Sequence, residues 1–379
     1  MSCTQKIGIS GREYLQQFNE KVFKQRIPLS GSLDLTWQCN LNCIHCYLGA
    51  KSARMEQIGH EAGTEKWIRI IDEITEAGCI NLLITGGEPL LRKDFLKIYQ
   101  YAIQSGLLVT VFSNGTGITK EVIDTFKDLP PQAVEISLYG ATSDTFERIT
   151  QVKNSYALCM KGIHLLLDHG IRVALKTILM SVNFHEFSAI EDIARNLGVK
   201  FRFDAALFPC LNGDPSPLDF RVRAEDAVAL EMSNKERYRK WTEYYARTKN
   251  FQCPTSLYKC GAGVASFYID PSLKLYPCLM TGKPEFDLLH GSFKEGWNTV
   301  IPGIHDKNDR IDTCSNCEKI ALCGYCPAFF QLEKGDEEIC SEYLCEIGKH
   351  RLEAVCKYQA EEPISKRFKS VTPAKADVR

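Results

Sequence analysis

Seventeen cysteines in 379 residues restrict this chain more than any other feature. Eleven fall into spaced groups: Cys39, Cys43 and Cys46; Cys253, Cys260 and Cys278; Cys314, Cys317, Cys323 and Cys326; and Cys345. In a reducing compartment disulfides have little use, and thiols grouped in this way serve metals or redox chemistry. Cys3, Cys79, Cys159, Cys210, Cys340 and Cys356 stand alone, and most of them read as small buried hydrophobes.

The rest of the composition describes a folded chain. With 44% hydrophobic and 25% charged residues it can bury one full-size domain and a smaller one. The net charge is -1, and no basic run precedes a helix or interleaves with aromatics, so neither nucleic acid nor an anionic membrane is expected as a partner. The first residues lack a signal-peptide core, and no run approaches the roughly 18 apolar residues that span a bilayer, which points to the cytoplasm.

Two regimes follow along the chain. Over 33–210, short β-rich runs (SLDLTWQ, INLLIT, LLVTVFS, AVEISLYG, IRVALKTILM, FRFDAAL) alternate with helical patterns. In the first helix Trp67, Ile70, Ile71, Ile74 and Ala77 recur at the spacing of a buried stripe. Gly106, Gly170 and Gly198 fall where a left-handed cap ends a helix, whereas Gly78 falls one position early. Six strands alternating with helices predict an α/β fold of parallel units, a partial (β/α)6 TIM-like barrel short of the eight strands of a closed one. Residues 1–32 form an N-terminal extension. A Pro- and Gly-rich loop and a charged helix from Ala224 to Lys249 bridge 211–250, a cysteine- and loop-rich domain occupies 251–350, and a helix end with a polar, disordered tail fills 351–379.

The segment CNLNCIHCY can wrap Cys39, Cys43 and Cys46 around one inorganic core. Three thiolates on a four-iron cluster leave one iron open to a ligand. A zinc knuckle is the competing reading, and His45 is the available fourth donor. After the second strand comes ITGGEPLL, where Gly86 and Gly87 let the backbone approach a ligand closely and Glu88 sets a carboxylate beside it. Its place at the carboxyl end of a strand, where barrels bind ligands, strengthens that reading.

The cysteine triad and the Gly-Gly-Glu-Pro segment, in this order and separation, resemble the radical S-adenosylmethionine (SAM) superfamily. The resemblance implies that the open iron of the Cys39/Cys43/Cys46 cluster chelates SAM, that Gly86, Gly87 and Glu88 contact its amino end, and that Tyr47 lies near the adenine. Asn114 and Ser137, at the ends of the third and fourth strands, are implied polar contacts to SAM, although both are also ordinary turn residues. A reduced cluster would cleave SAM to a 5′-deoxyadenosyl radical that abstracts hydrogen from an unactivated C–H bond.

The later cysteines resemble a SPASM domain, a module carrying auxiliary clusters. CSNCEKIALCGYC alone would read as a zinc ribbon; together with CGAGVASFYIDPSLKLYPC it matches the module over about residues 253–347. By the family's crossed pattern, Cys253, Cys260, Cys278 and Cys326 would hold the first auxiliary 4Fe-4S cluster, and Cys314, Cys317, Cys323 and Cys345 the second, making three clusters in all. Cys340 competes with Cys345 for the last place. Two departures stand out: Leu273 where the family has Gly, and two residues instead of three between Cys323 and Cys326. The first auxiliary cluster is closed if Cys253 joins it and open to a substrate thiol if it does not.

SPASM modules accompany maturases of ribosomally made peptides, which form thioether or carbon–carbon crosslinks, and anaerobic sulfatase maturases, which make formylglycine. Leu279 stands where the sulfatase maturases carry an Asp after the third cysteine of the first auxiliary site, so a peptide substrate is favoured. With only about 30 residues before the barrel, too few for a winged recognition domain, a separate leader-peptide-binding protein or the barrel mouth would recognise it. Flavodoxin or ferredoxin would supply electrons. A non-catalytic iron–sulfur carrier or zinc adaptor is the alternative from another class.

Overall fold

A computed structural model describes residues 10–249, 256–308 and 312–361. Its contacts divide the chain into one unit of residues 1–221 and 256–308 and a second of residues 222–255 and 309–379. The segment 251–350, read from sequence as one domain, therefore contributes to both.

In the first unit, strands β1 (Ser30–Asp34), β2 (Asn81–Thr85), β3 (Leu108–Ser113), β4 (Ala133–Ser137), β5 (Val173–Ile178) and β6 (Lys200–Asp204) pair in parallel in sequence order. One face of this sheet carries Leu82, Ile84, Val109, Val111, Val134, Ile136 and Leu175, all 1% exposed or less. The helices between the strands cover that face. Thr64–Glu76 contributes Trp67, Ile70, Ile71 and Ile74, and Phe95–Gln104 contributes Phe95, Ile98 and Tyr99. The alternate residues of each strand point to the opposite, half-buried face. The sheet is open, with β6 at one edge.

Gly106, Gly170 and Gly198 adopt the expected positive φ. Gly78 does as well, at +100°, because the helix stops at Glu76 and Ala77 is its cap, which puts Gly78 where a left-handed residue belongs. The sheet also continues beyond the six expected strands. β7 (Ser266–Ile269) pairs in parallel with β1, and β8 (Lys274–Tyr276) and β9 (Phe286–Asp287) follow antiparallel. Phe267 and Ile269 join the core under the helices, and the ring of Phe267 lies so close to Gly31 that a Cβ there would come within 2.3 Å.

The second unit is helical. The expected single helix from Ala224 to Lys249 is two, Ala224–Ser233 and Lys235–Thr248, because the Asn234 side chain accepts the Glu236 and Arg237 N–H groups and starts a new helix. Arg351, from the helix Glu342–Glu361, pairs with Glu231 at 2.8 Å and packs on the ring of Trp241. Among the described residues no helix is long and apolar enough to cross a membrane. Of the expected disordered tail, residues 362–379 lie outside the described residues.

Candidate active site at the carboxyl ends of the strands

The loop leaving β1 carries Cys39, Cys43 and Cys46 and is fastened along its length. Asn42 and Ile44 donate backbone N–H groups to the carbonyls of Thr150 and Ile149, and the Ile44 side chain packs against buried Ile149, Met180 and Leu207. A turn follows, Cys46 N–H to Cys43 carbonyl at 3.1 Å. Cys210, one of the cysteines that stand alone in the sequence, is buried, and its thiol donates to the Cys46 carbonyl at 3.3 Å and helps hold the loop.

Burial raises all three thiols, most strongly Cys43, where the neighbouring Cys46 and Cys39 add repulsion between thiolates. The Arg54 guanidinium opposes this at each of them. Arg54 is 4% exposed, and one guanidinium nitrogen reaches the Asn42 side chain at 3.5 Å. Three half-buried thiols beside a buried cation suit thiolate ligation of an anionic cluster. His45, the fourth donor of a zinc knuckle, instead packs edge-on against Tyr139 with ring centroids 4.5 Å apart, and burial lowers it to about 4. Among the described residues no three His, Cys, Asp or Glu side chains are set to hold a single metal ion.

Gly86, Gly87 and Glu88 follow β2 and lie against the start of the cysteine loop. Gly87 N–H donates to the Thr36 carbonyl and Glu88 N–H to the Gln38 carbonyl. A Cβ on Gly86 would sit 2.5 Å from the Thr36 carbonyl oxygen, and one on Gly87 2.2 Å from that of Gln38. These glycines therefore permit a close approach of the chain's own backbone. Glu88 is fully buried, and its carboxylate accepts from Ser113 Oγ at 2.9 Å, Asn114 N–H at 2.7 Å and Leu90 N–H at 3.2 Å. Burial raises it to about 7 against those bonds.

Asn114 extends the same network. Its amide donates to Asn40 Oδ1 at 2.9 Å and lies 3.9 Å from Cys39 Sγ. Ser137 ends β4, near the Tyr139 hydroxyl. The structure therefore brings Cys39, Cys43, Cys46, Glu88 and Asn114 into one connected region.

Tyr47 leads to a residue that sequence reasoning missed. Its hydroxyl reaches Asp34 Oδ2 at 3.5 Å, and Tyr268 Oη donates to the same oxygen at 2.9 Å. The β1–β7 register, Ser32 beside Tyr268, puts Asp34 and Tyr268 on one face. Asp34 is 1% exposed, and burial raises it to about 7. Among the described residues its Oδ1 has no hydrogen-bond partner.

The later cysteines divide between the units. Cys260 and Cys278 lie in the first, close enough for Cys260 to raise Cys278, which opens a tight turn closed by Thr281. Leu273 takes the left-handed φ of +64° and is fully buried, so the departure from Gly is in sequence and not in backbone shape. Cys314, Cys317, Cys323, Cys326 and Cys345 lie in the second unit. Burial and the neighbouring thiols push Cys314 up to about 12. Cys326 caps the helix Pro327–Lys334, its sulfur accepting the Phe329 N–H at 3.4 Å. Cys3 and Cys253 lie outside the described residues.

Comparison with known proteins agrees with this geometry. The Radical SAM superfamily model matches residues 35–197. An AdoMet-dependent heme synthase of Methanosarcina barkeri is 24% identical over 326 residues, covering 80% of this chain and 92% of that protein. The antilisterial bacteriocin subtilosin biosynthesis protein AlbA of Bacillus subtilis is 28% identical over 318 residues, 79% of this chain and 66% of AlbA. The crystal structure of Streptococcus suis SuiB bound to precursor peptide SuiA shares the fold, with a TM-score of 0.66 at 15% identity over 91% of this chain and 83% of SuiB. Residues 35–197 of this chain are therefore a domain of the radical SAM superfamily.

Proposed function

We propose that this chain is a radical SAM enzyme that oxidatively modifies a ribosomally made peptide, with one 4Fe-4S cluster on Cys39, Cys43 and Cys46 and two auxiliary clusters on the later cysteines. The observation that carries the reading is the single network joining the cysteine loop, the Gly86–Glu88 turn and Asn114. Cys39, Cys43 and Cys46 would hold the cluster, which when bound would supply one-electron cleavage of SAM and removal of a substrate hydrogen atom. The protein's own part is placement. Arg54 offsets thiolate charge, and Glu88 fixes the end of β3 against β2. The peptide substrate is supported by AlbA, a bacteriocin biosynthesis protein, and by the fold shared with peptide-bound SuiB.

Anaerobic reconstitution followed by a dithionite assay tests the radical site. Cys43→Ala should abolish 5′-deoxyadenosine formation while the fold survives, and unchanged formation would remove the assignment. Coexpression with short peptides encoded beside the gene should give a peptide mass reduced by lost hydrogen. A second reading, an iron porphyrin substrate, is favoured by the heme synthase match over nearly the whole of that relative. A chemically altered porphyrin alongside unaltered peptides would establish it instead.

A further inference from the structure

Around Cys314 the second unit gathers Cys317, Cys323, Cys340 and Cys345, five thiols where a four-iron cluster takes four. Ser341 opens the helix Glu342–Glu361: its carbonyl accepts the Cys345 N–H at 3.0 Å and its Oγ the Leu344 N–H at 3.3 Å. With Ser341 as cap, Cys340 is the residue just before it and Cys345 the fourth of the helix, two positions whose side chains meet at helix starts. The two thiols lie close enough that, after burial, Cys340 is the main cause raising Cys345. Cys340, Cys345, Cys323 and Cys317 all lie close enough to Cys314 to raise it, beyond what burial does. One turn along the helix, a Cβ on Gly348 would fall 2.6 Å from Cβ of Cys323, so the helix lies directly against that cysteine. Ser341 is fully buried, which fixes the turn carrying both candidates.

We propose that Cys340 and Cys345 are interchangeable closing ligands of the second auxiliary cluster, beside Cys314, Cys317 and Cys323. The inference rests on the reading that this unit binds a four-iron cluster. Either sulfur can take the fourth iron while the other remains a thiol beside it, so losing one does not open the site.

The test uses the full chain, reconstituted anaerobically, with iron and sulfide measured per chain and folding followed by far-ultraviolet circular dichroism. Cys340→Ala and Cys345→Ala should each match the unmodified chain. The double variant keeps three thiolates and leaves one iron without one, so it should release iron to a chelator that the unmodified chain and both single variants withstand. Replacing Cys314, Cys317 and Cys323 together with alanine should lose one cluster's iron and sulfide. Release from either single variant, or full retention in the double, overturns the exchange. Full iron in the triple variant overturns the underlying cluster reading as well, which separates the two failures. If the double alanine variant does not fold, Cys340→Val with Cys345→Val fills the space with side chains that cannot bind iron, and the same outcomes decide.

Discussion

The carboxylate of Glu88, at the end of β2, accepts the backbone N–H of Asn114, at the end of β3, over 2.7 Å. Because the Asn114 amide continues to Asn40 in the cysteine loop, Glu88 ties the ends of β2 and β3 to that loop. Glu88→Ala leaves the Asn114 and Leu90 N–H groups and the Ser113 hydroxyl without their buried acceptor. At about 1–3 kcal/mol for each unsatisfied donor, with partial relaxation, a loss of roughly 2–5 kcal/mol is expected. SAM binding, measured by calorimetric titration, should weaken while iron content stays near that of the unmodified chain. Loss of iron would show that Glu88 serves the cluster directly.

Asp34 makes stability depend on pH in a definite direction. Burial raises it to about 7 in the folded chain, against about 3.9 when unfolded. Its contribution is fully present below about pH 4, where both states hold the proton, and is lost as pH rises through 7. Between pH 5 and pH 8 that loss is roughly 2–3 kcal/mol. Denaturant titrations should show Asp34→Asn losing less stability over this interval by about that amount. Glu88 titrates in the same direction in both proteins and cancels in the comparison. Equal pH dependence would mean that Asp34 is ionised in the fold.

Arg54 is the buried cation beside the radical-site thiols. Replacing it with Met keeps the apolar stem and removes the charge. Groups that support metal ligands are worth roughly 10–100-fold in affinity, so Arg54→Met should shed iron to a chelator far faster than the unmodified chain. Unaltered iron release would reduce Arg54 to a packing role.

Leu273 sets two costs against each other. Glycine would relieve a left-handed conformation that costs an ordinary residue roughly 1–2 kcal/mol, yet it would empty a fully buried site, for which Leu→Ala alone costs about 2–5 kcal/mol. The cavity wins. Leu273→Gly should lower stability by about 1–3 kcal/mol in thermal or denaturant unfolding, despite restoring the residue the family carries there.

The parts of the molecule legible in the sequence are those written in local pattern. Strand alternation and the Trp67–Ile74 stripe mark elements whose faces are decided by period alone. Cysteine spacing marks the loop of Cys39, Cys43 and Cys46 for the same reason. What was hidden is what only the fold brings together. Asp34 reads as one polar residue in a strand until β7 delivers Tyr268 to it. Arg54 and Cys210 are single residues whose partners lie elsewhere in the chain. SFYI is too short a run to announce that it extends the barrel sheet. Asn234, by contrast, carried a visible signal: a helix-capping residue in the middle of a stretch read as one helix.

The pairing of β1 with β7 bears on how the chain is made. β1 is among the first strands to emerge during synthesis, and β2 closes one of its edges soon afterwards. Its other edge stays bare until Ser266–Ile269 arrives, after the whole of β2 to β6 and two helices of the other unit have been translated. An open strand edge is a template for wrong pairing, and distant partners close slowly. Of β1 to β6, the strand that leads into the cysteine loop is thus the last to gain its partners, and a chain cut short before Ser266 leaves that strand exposed.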